Sequence, residues 1–159
     1  MAEARMRKID PTLGRTEAEC VDLIIVGTPA PQGSKKFVGM RGGHAVLVES
    51  SKKVKPWREQ VEFQARQTGK VIRGPVRLEI TFYFARPKNH TLKGGGKSWA
   101  WTAWPITYPD SSKCLRSTED ALVTAGLIED DSHVVTTLVW KLYADDRVPG
   151  AFIEVSRVD

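Results

Sequence analysis

Apolar and polar positions change period several times along this chain, and each change marks an element. Val76, Leu78, Ile80, Phe82 and Phe84 alternate strictly with Arg77, Glu79, Thr81 and Tyr83, the period of a strand with one buried face. Residues 21–26 form a short β-branched run. It ends at Gly27-Thr28-Pro29-Ala30-Pro31-Gln32-Gly33-Ser34, where two prolines and two glycines exclude a helix and require a loop. Residues 35–38 and 45–49 flank a Gly-containing stretch and suit a small hairpin. Trp57, Val61 and Ala65 then recur at helical spacing, with Phe63 beside them, after Pro56 in the first turn and before Gly69 as the stop.

The second half continues the alternation of elements. Residues 112–125 read as a helix whose apolar face is Cys114, Leu115, Thr118, Ala121, Leu122 and Ala125, stopped by Gly126. Residues 134–143 and 151–155 read as strands. Residues 86–109 have no usable period, and a connection of that length inside a small domain is usually functional or mobile. Its Trp99, Trp101 and Trp104 suit two roles, stacking on unpaired bases or packing the loop onto the body. The order is β, hairpin, α, β, long loop, α, β, β. It predicts one mixed α/β (α+β) domain over residues 20–159, with a small sheet flanked by two helices, preceded by a flexible polar arm over residues 1–19.

Composition narrows the class. At 159 residues with 41% hydrophobic and 27% charged, the chain is long enough for one core and too apolar for a disordered protein. No apolar run approaches the ~18 residues of a membrane span, and the first residues lack the apolar stretch of a secretory signal. The two cysteines, Cys20 and Cys114, are far apart, which points to a reduced, intracellular setting rather than a disulfide framework. Histidines 44, 90 and 133 show no zinc spacing. The glycines at 39–43 lack a Walker lysine, and no serine has the setting of a nucleophile elbow.

Charge is distributed in blocks. Residues 31–58 carry seven basic side chains (Lys35, Lys36, Arg41, Lys52, Lys53, Lys55, Arg58) against Glu49, and residues 70–97 carry seven against Glu79. Residues 110–131 reverse the sign, with Asp110, Glu119, Asp120, Glu129, Asp130 and Asp131 against Lys113 and Arg116. Two basic stretches and one acidic one suit a polyanion partner and a cation site; an unevenly solvated surface gives the same pattern. On a helical wheel Lys113, Arg116 and Asp120 share the face opposite Leu115 and Leu122, with Glu119 at its edge. If Asp131 lies early on the return strand it faces that polar side near Asp120. Clustered carboxylates repel unless a proton or cation neutralises them, and oxygen-only ligands select Mg²⁺ or Mn²⁺. The competing reading is structural: Asp110 caps the helix, Arg116 pairs with Asp120, and residues 129–131 form a polar turn.

Several of these segments together resemble a known family. Thr28-Pro29-Ala30-Pro31-Gln32-Gly33-Ser34-Lys35-Lys36, Val48-Glu49-Ser50-Ser51-Lys52 and Lys55-Pro56-Trp57-Arg58 are similar to the opening of phage-type RusA family Holliday-junction resolvases. So are Pro109-Asp110-Ser111-Ser112-Lys113, Asp120-Ala121-Leu122, Ala125-Gly126 and Asp130-Asp131-Ser132 in the second half. The resemblance implies a homodimeric, metal-dependent endodeoxyribonuclease that resolves four-way DNA junctions by paired nicks in recombination and repair, acting in the cytoplasm, the host's where the chain is phage-encoded. It implies Mg²⁺, with Mn²⁺ as a substitute, held by Asp110 and Asp131 and by an aspartate at the position of Ser112.

Ser112 is a departure, a neutral ligand where the family has a carboxylate, and Glu119 and Asp120 are the acids with reach to replace it. Arg116 stands where the family has a lysine and suits a clamp on the scissile phosphate. The expected catalytic residues are thus Asp110, Arg116, Asp120 and Asp131. The expected metal ligands are Asp110, Ser112, Glu119, Asp120 and Asp131. DNA contacts are expected from Lys35, Lys36, Lys52, Lys53, Lys55, Arg58 and Lys113. The two departures also allow an alternative, a branched-DNA-binding homologue with weak or no cleavage.

Overall fold

Four strands make one mixed sheet in the order β1-β6-β4-β5: β1 (Cys20–Val26), β4 (Val76–Phe84), β5 (Val134–Tyr143) and β6 (Gly150–Arg157). The structure, a computed structural model, describes residues 19–33, 35–49 and 52–158, and residues 35–38 and 45–49 by their backbone alone. Of the expected N-terminal arm, residues 1–18 lie outside the described residues, and so do Ser34, Ser50 and Ser51. A separate hairpin, β2 (Lys35–Arg41) with β3 (His44–Glu49), precedes helix α1 (Val54–Gln67), and helix α2 (Ser111–Ala125) lies between β4 and β5. Each expected element is present.

β4 pairs antiparallel with β6 and parallel with β5, and β1 closes the far side of β6. A parallel neighbour cannot be reached through a tight turn, so the chain between β4 and β5 must cross over, and that crossover carries the long loop and α2. The alternation read in β4 is observed in full, with Val76, Leu78, Ile80, Phe82 and Phe84 buried. They join Leu23 and Ile25 of β1 and Ile153 and Val155 of β6 in one core with Trp57 and Val61 of α1 and Cys114, Ala121 and Leu122 of α2. Both helices therefore cover the same face of the sheet. On the other face, Ile24, Phe152, Thr81 and Trp140 line up across all four strands by register, and Ile24, Phe152 and Trp140 are exposed.

The buried stripe of α2 differs from the sequence expectation at three positions, one of them Ala125, which is only half-buried at the end of the helix. Leu115 is only half-buried, while Ser117 is fully buried. The reason is a hydrogen bond: the Ser117 hydroxyl donates to the Ala30 carbonyl at 2.6 Å, and the backbone N–H of Gln32 donates to the Lys113 carbonyl at 2.9 Å. The Pro-rich segment after β1 is thereby fastened to the first half of α2. One residue on, Trp57 Nε1 donates to Thr118 Oγ1 at 3.1 Å, which joins α1 to α2 through two buried polar atoms that would otherwise be costly.

Candidate active site

α2 starts at Asp110, whose backbone is extended and whose carboxylate makes no capping hydrogen bond; it lies 3.1 Å from Lys113 Nζ instead. The capping alternative thus does not describe its side chain. Ser112, Lys113 and Arg116 are exposed on the first two turns. Gly126, with φ 79°, supplies the left-handed stop that ends the helix. The chain then turns through residues 127–130 into a short 3₁₀ turn, Asp131–His133, at the head of β5.

That turn delivers Asp131 to the second half of α2. Asp131, Asp130, Asp120, Val123, Thr124 and Arg58 line a cleft of about 260 Å³. Asp120 does not find its cation on its own helix: Arg58 of α1 places NH1 3.6 Å from Asp120 Oδ2. Glu119, half-buried on the same turn, has its carboxyl pKa raised, first by burial and then by the charges of Asp131 and Asp120, with Arg116 opposing them. Glu119 and Asp120 of α2 and Asp131 of the turn before β5 thus lie close to one another.

The neighbouring acids are engaged structurally. Asp130 Oδ1 accepts from the Ser132 backbone N–H at 2.9 Å, and hydrogen bonds from the Ser132 hydroxyl and backbone hold its carboxyl below the ordinary aspartate range. Glu129 accepts from Arg73 at 2.9 Å. For these two, the polar-turn reading is correct. Cys114 is buried, and burial pushes its thiol up to about 12, so it is a core thiol and no thiolate.

The structure does not gather all the expected ligands. Asp110 and Ser112 stand at one end of a 15-residue helix, ~22 Å long, and Asp131 follows its other end. The oxygen-only donor set of Glu119, Asp120 and Asp131 has the right chemistry for a hard divalent cation. Its geometry within one chain is incomplete: among the described residues no group of three or more His, Cys, Asp or Glu is placed to hold an ion.

The family model for endodeoxyribonuclease RusA matches residues 27–156. The chain belongs to the RusA family. Among curated proteins nothing matches. Membership makes this an endonuclease of the kind that acts on Holliday junctions, and the match spans the Pro-rich segment, α1, the long loop, α2 and the head of β5 together.

Of the basic residues expected to bind DNA, Lys52 and Lys53 are exposed just before α1, and Lys55 lies 3.8 Å from Glu59 on the same helix. The side chains of Lys35 and Lys36 lie outside the described residues. Arg58 is the surprise: read as one charge of a basic run, it belongs to the acidic cleft. Ser117 was missed as an anchor, although a hydroxyl next to Thr118 on an apolar helix face is a signal for buried hydrogen bonds. Arg86 was also missed. It sits at the mouth of the long loop and donates to both oxygens of Asp145, at 2.6 and 2.7 Å, and to the Thr102 carbonyl at 2.7 Å. Its guanidinium also lies 4.0 Å from the Tyr143 ring centroid. An arginine beside an aromatic-rich loop is the type of residue that stacks and forks at once.

Proposed function

We propose that this RusA family protein resolves four-way DNA junctions by paired nicks, as a homodimer that depends on a divalent metal, Mg²⁺ or in its place Mn²⁺. The observation that carries the reading is the cleft in which Arg58 stands among Asp120, Asp130 and Asp131, in a chain matched to the family over residues 27–156. A phosphate needs cationic donors and the metal needs carboxylates, and this cleft sets both side by side. The metal, when bound, activates water and offsets charge on the phosphodiester. Asp110, Ser112, Glu119, Asp120 and Asp131 are the candidate ligands. Arg58 and Arg116 orient the scissile phosphate, while Lys35, Lys36, Lys52, Lys53, Lys55 and Lys113 contact the DNA arms.

Three points support the homodimer. Paired nicks need two sites related by a two-fold axis. Ile24, Phe152 and Trp140 form an exposed row across the sheet face that neither helix covers. A site using Asp110 and Asp131 together draws them from two copies, given their places at opposite ends of α2. The setting is DNA recombination and repair in the cytoplasm, the host's where the chain is phage-encoded. Among the described residues no helix is long and apolar enough to cross a membrane.

A second reading, a branched-DNA-binding homologue with weak cleavage, is favoured by Ser112, which offers a hydroxyl where the family has a carboxylate. Incubating the full chain with a labelled synthetic four-way junction, with and without Mg²⁺ or Mn²⁺, separates the two. Symmetric nicks that require the ion support resolution. Tight junction binding with no nicks under either ion establishes the second reading.

A further inference from the structure

The connection from β4 to α2 is long but not loosely held. The Ser98 N–H donates to the His90 carbonyl at 3.0 Å, the Leu92 N–H to the Gly96 carbonyl at 3.1 Å, and the Ser98 hydroxyl to the Asn89 carbonyl. Arg86 binds the Thr102 carbonyl from below, and Lys141 Nζ donates to the Thr107 carbonyl at 2.9 Å close to the start of α2. Trp101 is used in packing, with Lys97 Nζ 3.5 Å from its ring centroid and Arg86 on it as well. Trp99 and Trp104 lie outside the core. Trp99 is 97% exposed and Trp104 54%.

A large apolar ring left in water by a loop that is otherwise pinned is the informative kind of exposure. The surroundings define what would cover it. Residues 86–109 include Arg86, Lys88, Lys93 and Lys97 and not one Asp or Glu, so a polyanion is favoured. Duplex DNA hides the faces of its bases in the stack, whereas bases at a branch point are free to offer theirs. The loop also runs directly into Asp110 at the start of α2.

We propose that Trp99 and Trp104 stack on unpaired bases at the branch point of the DNA, so that the loop recognises branched over linear DNA. This rests on the reading of the substrate given above and assigns its recognition to particular side chains. Both rings lie outside the core, so their removal leaves the fold intact.

The test compares the full-length protein with a Trp99→Ala/Trp104→Ala variant, without divalent ions, on a four-way junction and on a linear duplex of the same arm sequence. Junction affinity is expected to fall about tenfold or more, from the loss of base stacking, with duplex affinity changed by less than about threefold. Trp99→Phe, alone, is expected to keep most of the junction affinity. A 2-aminopurine placed at the branch point is expected to brighten in the double variant's complex, as its stacking partner is lost. A junction preference that persists undiminished in the double variant overturns this inference alone. So does an equal loss on junction and duplex, or a dimer that becomes a monomer, which would give the rings to a second copy of the chain. Absence of any junction preference in the unchanged protein overturns the substrate reading itself.

Discussion

Two arginines stand in opposite electrical situations. Arg86 has both oxygens of Asp145, the Thr102 carbonyl, His90 Nδ1 at 3.4 Å and the Tyr143 ring around it. Arg58 has one aspartate oxygen at 3.6 Å, in a cleft that also holds Asp130 and Asp131, with Glu119 close to Asp120 and Asp131. In the first region the charges balance and the geometry closes, so the network holds the loop in place. In the second the acids outnumber the cation, and the imbalance is sustained by the packing of α1, α2 and the head of β5. A satisfied polar network serves position; a crowded acidic one at the surface is where an outside cation and a phosphate have most to gain.

Removing one acid from the crowded cleft has the largest expected effect on function. Asp131→Asn keeps the size of the side chain and abolishes a charged ligand. Nicking of a four-way junction is expected to fall at least a hundredfold, while junction affinity, which rests on phosphate contacts elsewhere, stays within a few fold. Rates and affinities measured on one junction substrate check both halves. Nicking at the unchanged rate sinks the role of Asp131.

The sequence made one of these regions legible and not the other. Strict alternation in β4, the Pro56 and Gly69 bounds of α1 and the Gly126 stop of α2 are local signals, and the other strands were read from local signals of the same kind. The acids of the cleft were legible because Glu119 and Asp120 lie on one helix and Asp131 a short turn away. Arg58 was not, since its meeting with Asp120 depends on how α1 packs against α2, fixed by the Trp57–Thr118 bond. The Arg86 hub joins residues 16 and 59 positions apart through a loop with no period, and no pattern of short range records it. The burial of Ser117 was not legible because its partner, the Ala30 carbonyl, is 87 positions away.

Arg86→Met tests the balanced region. The substitution keeps an apolar stem over Tyr143 and removes the fork to Asp145 and the Thr102 carbonyl. A loss of about 1–3 kcal/mol in unfolding free energy is expected, as for a hydrogen bond with a charged partner, together with faster proteolysis within residues 86–109. Arg86→Lys restores the charge but not the paired geometry, so its stability is expected to stay well below that of the unchanged protein. Urea unfolding of the three proteins ranks them; equal midpoints would show that the loop is held by its aromatic packing alone.

The finest contrast comes from making one kind of change in both regions, a carboxylate to its amide, in metal-free buffer at neutral pH. Glu119→Gln removes a charge that burial, Asp131 and Asp120 all oppose, so stability is expected to rise or stay level. Asp145→Asn removes the partner of Arg86, so stability is expected to fall, by less than about 1 kcal/mol because Asp145 is more than half exposed to solvent screening. The pH dependence follows from the sign of the Asp145 shift. The hydrogen bonds from Arg86 hold its carboxyl below the ordinary aspartate pKa of about 3.9. Its contribution is present above that value and is lost as the pH falls through the lower, folded one. Unfolding curves of the unchanged protein and Asp145→Asn are therefore expected to differ at pH 7 and to converge in acid below about pH 4. A gap that widens on acidification, or a Glu119→Gln protein that is clearly less stable than the unchanged one, would mean that the balanced and crowded regions have been assigned the wrong way round.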